Sequence, residues 1–237
     1  MTFDERALRV LILGAWSAFL LWLWLSGEVV RYLGARTEWV ATVGGIALAA
    51  TAVAYAWRAR GAPARPLTAG GLAGAAAMLL PLAVAALVAD STLGSYAASK
   101  RLAARGVDVA ALAELDTGEA RRASFLALAA SGDEPELDRR HGIRPGERVR
   151  LVGFVATEPE APGEPLELGR FYVTCCVADA VPVTVPVALG EIGATAPERD
   201  RWLEVTGTIA RIGDGYGIRA ERLVEVREPR RPYLGFT

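Results

Sequence analysis

"WLEVTGTIARIGDGYGIRAERLVEV", residues 202–226, alternates apolar and polar residues on either side of a glycine-rich break. A period of two is the pattern of a strand with one face buried. The break, "GDGYG", reads as a hairpin turn, with Gly213, Gly215 and Gly217 expected to supply positive φ. It does not read as a phosphate cradle, because no helix follows it. Toward the N-terminus the same alternation recurs in "VPVTVPVAL" (181–189), "RFYVTCCV" (170–177) and "RVRLVGFVAT" (148–157). Five short β-rich runs after Glu147 predict an all-β domain over residues 147–237, a small five-stranded barrel of the OB type. The loop "EPEAPGEP" (158–165) separates two of the runs, and its Glu158, Glu160 and Glu164 read as solvated rather than as ligands.

Barrels of this type often bind nucleic acid, which requires a basic groove and stacking aromatics. From His141 onward the chain has 12 basic and 14 acidic residues, so that partner is excluded. The 237-residue chain has a formal net charge of −1, and its apolar residues concentrate in the first third.

Three apolar runs lie there, at about 8–25, 39–57 and 67–89. Each is long enough to cross a hydrocarbon core of about 30 Å. Arg9 is the one charge within them, near an end where it reaches headgroups, and Trp22, Trp24, Trp39 and Trp57 sit at the run ends as interfacial aromatics do. Residues 1–90 are therefore expected to form three transmembrane helices, in a multi-pass protein of the cell membrane in contact with lipid. A cleaved signal peptide is the alternative for the first run, but no small-x-small site follows it. Pro81 is expected to kink the third run. Gly44 and Gly45 lie within the second run, and Gly70 and Gly74 form a small-xxx-small pair in the third. Such residues let helices approach closely, either within this chain or against another membrane protein. The acid-free loop with Arg58, Arg60 and Arg65 favours a cytoplasmic N-terminus and an extracytoplasmic C-terminal domain.

Residues 91–146 read as a connector of short helices with balanced charge, a solvated spacer.

The two cysteines of the chain, Cys175 and Cys176, are adjacent. A disulfide between them would be strained, since neighbouring Cα atoms lie about 3.8 Å apart. In a regular strand Phe171, Val173, Cys175 and Val177 share an apolar face, and Tyr172, Thr174, Cys176 and Ala178 share the other. This register makes Cys175 a core residue and places Cys176 on the more polar face beside Thr174, with Asp179 just beyond. Two readings stand: ordinary core cysteines, or a Cys176 that acts through a metal, thiol chemistry or a partner. Cys176, Asp179, Thr174 and Cys175 are the ligand or interface candidates. A mononuclear metal site needs three or four converging ligands, and the remaining candidate, His141, is distant in sequence. One thiol, Cys176, with one carboxylate, Asp179, is a weak metal signal, so no cofactor is expected and a metal ion is the alternative. No base lies near the cysteines in sequence, so the chain is not expected to be an enzyme.

The three spans, "GFV" (153–155), "FYVTCCVADA" (171–180), "WLEVTGTI" (202–209) and the tail "RRPYLGF" (230–236) resemble the YcgQ-like family of bacterial membrane proteins. The resemblance covers essentially the whole chain. Its most specific parts are the Cys-x-Ala-Asp element, Cys176–Asp179, and the tail Pro232–Phe236. It implies a multi-span permease of the YcgR-like type as partner and a link to transport, and it implies no reaction. Some relatives carry a His/Cys-rich loop between spans two and three; here the loop is "RARGAPARPLTAG" (58–70), without a metal ligand. The expected function is that of a membrane-anchored accessory subunit of a permease, whose barrel binds or presents a ligand. The alternative is a stand-alone extracytoplasmic metal or haem carrier.

Overall fold

The structure is a computed structural model, and it describes residues 4–61, 63, 66–87, 93–104, 124–132, 138–139, 141–161, 163–190 and 197–235. Arg65 and Phe236 lie outside these residues, as do residues 88 and 89 at the end of the third apolar run. The chain divides into two compact units, Met1–Ser91 and Thr92–Thr237.

The first unit is helical. Helix α1 (Glu5–Ser26) is capped by Asp4, whose side chain accepts from the Arg6 N–H, and ends at Gly27 in the left-handed region. After a 3-10 turn, Glu28–Arg31, helix α2 (Glu38–Ala59) folds back against it. Gly45 is the close point: a Cβ there would lie 2.9 Å from Leu21 Cγ. Buried Ser17 donates from Oγ to the Gly45 carbonyl at 2.8 Å. A small residue and an interhelical hydrogen bond are what bring two helices together where lipid supplies no hydrophobic drive. Leu23, Val29 and Ala41 close the end of the hairpin. Helix α3 (Ala69–Leu87) runs on through Pro81, and Trp16 Nε1 donates to the Met78 carbonyl at 3.1 Å.

Two of these helices, α1 and α2, are long and apolar enough to cross a membrane. The apolar stretch Ala69–Ala85 of α3 is shorter. Trp22, Trp24, Trp39 and Trp57 are all exposed, together with Leu11, Val43, Ile46 and Val53 along the helices.

The second unit is built on a six-stranded sheet where five strands were expected. The strands are β1 (Arg148–Thr157), β2 (Leu166–Tyr172), β3 (Val181–Ala188), β4 (Trp202–Ile212), β5 (Gly215–Glu225) and β6 (Tyr233–Leu234). Their order is β1-β4-β5-β3-β2-β6, and β1 also pairs with β2. The neighbours are antiparallel except β3–β5 and β2–β6, which are parallel. The β4–β5 hairpin turns at Gly213, with φ 62°, and Ile212 faces Gly215 across it. Gly215 and Gly217 do not share that positive φ. Instead, a side chain at Gly217 would run into the Pro186 carbonyl.

Leu166, Leu168, Val183, Val185, Val205, Ile209 and Ile218 form the main core. Into it packs helix α5 (Phe125–Ala129), which follows helix α4 (Ser95–Ala104) in the chain and is capped by Ser124 Oγ, with Phe125, Leu126 and Leu128 all under 5% exposed. This stretch belongs to the expected solvated spacer, and its burial corrects that expectation. A second cluster, Ala98, Phe154, Ala156, Phe171, Val173 and Ala180, includes Ala98 from helix α4 (Ser95–Ala104).

Candidate functional site

Strand β2 ends before the cysteines. Val173 is the last residue joined to the sheet, donating its N–H to the Leu234 carbonyl at 2.9 Å. Beyond it, Asp179 turns its carboxylate back on the chain. Oδ1 accepts from the Thr174 N–H at 3.0 Å, and Oδ2 accepts from the N–H groups of Cys175 at 2.8 Å and Cys176 at 3.4 Å. A carboxylate that binds successive N–H groups offers the backbone an alternative to the ladder. Residues 177–179 then make one 3-10 turn, closed by the Asp179 N–H on the Cys176 carbonyl at 2.9 Å.

Arg101 of α4 braces the far end of this loop. Its guanidinium donates to the Val177 carbonyl at 3.2 Å and to the Ala180 carbonyl at 2.6 Å, and lies 6.0 Å from the Phe171 ring centroid. The near end is held by the tail: β6 pairs with Phe171 and Tyr172, and Arg170 donates to the carbonyls of Arg231 and Pro232. The two sequence elements that look most distinctive, Cys176–Asp179 and the segment from Pro232, thus meet around the end of one strand.

The loop exposes Cys175 and Thr174 and leaves Cys176 and Asp179 half-buried. Cys175 is therefore not a core residue. The expected strand register fails after Val173, and with it the division into one apolar and one polar face: Tyr172, assigned to the polar side, is fully buried in the main core. The two sulfurs lie 3.8 Å apart, as thiols. A hydrogen bond to Asp179 foremost, then one to Cys176, pushes the Cys175 thiol up to about 11. Burial alone would raise Asp179, but the Cys175 thiol and the three backbone N–H groups outweigh it and hold the carboxyl below its ordinary value. A thiol kept protonated is a poor nucleophile. Cys175, Cys176 and Asp179 each offer one ligand atom, all within 4.8 Å of one another.

The other anticipated residues are elsewhere. Gly70 and Gly74 belong to the helical unit, both exposed, with nothing within 4 Å of a Cβ built on either. His141 is 8% exposed, in the turn before β1, and is not presented for attachment of a ligand. Two residues that sequence patterns do not single out matter to the site. Arg101 has no motif around it, and Asp200 reaches across to the start of α4, accepting from the Ser95 N–H and hydroxyl at 2.5 and 3.0 Å. Asp200 also has φ 66°, a strained setting for a non-glycine residue. With Leu93, Tyr96, Phe154 and Trp202 it lines a recess of about 350 Å³ under the N-terminal end of α4.

Residues 142–234 match the DUF1980 C-terminal domain, a family without an assigned function. The match takes in the whole sheet and the Cys175–Asp179 loop. No curated protein matches the chain.

Proposed function

We propose that this chain is a YcgQ-like accessory subunit of a multi-span permease, anchored by three membrane spans, whose β domain presents the Thr174–Asp179 loop to a ligand on the extracytoplasmic side. The observation that carries the reading is the loop itself, an exposed and a half-buried thiol beside a carboxylate, fixed in place from both ends by Arg101 and by the tail. A rigid loop on a scaffold of strands is how small β domains display binding groups. The β domain is proposed as a five-stranded OB-like barrel extended by β6. Support comes from the pairings, which run from β1 through β4, β5, β3 and β2 and return to β1.

The anchor comprises α1 and α2, with α3 as a third, shorter span. Arg58 in the last turn of α2 and Arg60 at its C-terminal end, both exposed, favour a cytoplasmic loop there. The permease contact is assigned to the Gly70–Gly74 face of α3, because it is open in this chain while Gly45 already serves the α1–α2 contact. The runner-up is a stand-alone extracytoplasmic metal or haem carrier; its haem form would need His141, which is buried. The role proposed is binding, since the two thiols and the carboxylate converge on one another in the same loop.

Co-purification in mild detergent tests this. Tagged wild type should recover the YcgR-like permease, and Gly70→Leu or Gly74→Leu should reduce recovery with the β domain still folded by circular dichroism. Equal recovery from all three would move the contact off α3. No recovery from wild type would remove the permease partner.

A further inference from the structure

We propose that Cys175 Sγ, Cys176 Sγ and the Asp179 carboxylate form a three-ligand site for a zinc-class divalent cation, with its fourth coordination position open outward. The proposal rests on the binding role given to this loop above and names its ligand.

The geometry supports it first. Two thiolates on one tetrahedral zinc ion, with bonds of about 2.3 Å, lie about 3.8 Å apart. The sulfurs here lie 3.8 Å apart without an ion, and the carboxylate oxygen falls within 4.8 Å of both. Adjacent cysteines in a straight strand would point to opposite faces and could not share an ion. Asp179 removes that obstacle by drawing the chain out of the sheet, so the loop turns a pair that sequence alone sets apart into neighbours.

The chemistry selects the metal. Two sulfurs and one oxygen suit zinc or its heavier relatives, whereas magnesium and calcium require oxygen sets. Asp179 is oriented by backbone N–H groups, as carboxylate ligands commonly are by an outer shell of donors. Arg101 is directed at carbonyls of the same loop, so its charge fixes the turn through hydrogen bonds. On binding, the cation takes the two sulfur lone pairs and the two thiol protons pass to solvent. Three protein ligands and an exposed face leave room for a ligand from a partner, as delivery to or receipt from a permease would require.

The test uses the full-length, tag-free protein in detergent with its thiols reduced. Zinc is titrated against a chromogenic chelator, and alkylation of the cysteines is followed in parallel. One zinc ion per chain is expected, with both thiols protected from alkylation, and no displacement by excess magnesium or calcium. Cys175→Ser and Cys176→Ser retain the backbone bonds to Asp179, and each should lower zinc affinity at least about tenfold, as the loss of even an outer-shell partner does. Wild type binding no more tightly than the double variant, with unchanged circular dichroism, would overturn the site. So would ready displacement by calcium. Absence of zinc binding in a protein that still co-purifies with the permease removes the ion and leaves the accessory role. Zinc binding in a protein that recovers no permease does the reverse.

Discussion

The carboxylate of Asp179 accepts from three successive backbone N–H groups, and those bonds take Thr174, Cys175 and Cys176 out of the sheet. The consequence for labelling is direct. Cys175 is exposed but its thiol is held protonated, so a maleimide should modify it slowly at neutral pH and ever faster as the pH rises toward about 11. A rate that already levels off in the ordinary thiol range would contradict the Asp179 contact to that thiol. Cys175→Ser should leave the thermal midpoint unchanged, because the side chain packs in neither core. Glu167 on β2 gives a second residue-scale prediction. Burial raises its carboxyl above the ordinary range, and a hydrogen bond with Thr184 offsets part of this. The folded chain therefore holds this proton more tightly than the unfolded chain. Its contribution to stability is fully present below the ordinary carboxylate range and is lost as pH rises through the raised value. Glu167→Gln should equal wild type in acid and exceed it at neutral pH; thermal midpoints across pH check this, and a variant less stable at neutral pH would contradict it. The alternation around the cysteines is legible in the sequence, but the Asp179 loop is not. The useful signal was an aspartate three to five residues after polar and cysteine positions, which favours local capping over a ladder.

At the scale of elements, β1, β3, β4 and β5 fall where period-two runs lie, because each has one face toward the main core. Strand β2 begins at Leu166, earlier than expected. Both of its faces are buried, so it carries no alternation to read. Helix α5 was hidden for the opposite reason: five residues are too few to show a helical period, yet Leu128 is 1% exposed. Leu128→Ala should destabilise the β domain by about 2–5 kcal/mol. A fragment starting at residue 93 should unfold at a higher temperature than one starting at residue 141, which lacks α5. Equal midpoints would make α5 an accessory. In the helical unit the glycines divide by use. Gly45→Leu should disrupt the α1–α2 hairpin, where a Cβ already meets Leu21 at 2.9 Å, while Gly70→Leu should not. Protease sensitivity in detergent separates the two variants. Among small residues the sequence pattern alone does not say which pair is already occupied.

For the whole molecule, the switch from apolar runs to period two at about residue 147 separates helices from sheet, and it is visible in the sequence because both patterns are long. The earlier boundary of the second unit, at Thr92, depends on α4 and α5 packing across distances in sequence that no local pattern records. The proposed role requires the β domain to lie outside the cytoplasm, and both cysteines of the chain sit on one of its loops, with Cys175 exposed. Labelling of intact, chelator-washed cells with a membrane-impermeant maleimide therefore reads the loop's exposure and the domain's side of the membrane together. Wild type should be labelled before lysis, faster at raised pH, and the double serine variant not at all. Labelling of wild type only after the cells are broken open would place the loop in the cytoplasm and contradict the proposal.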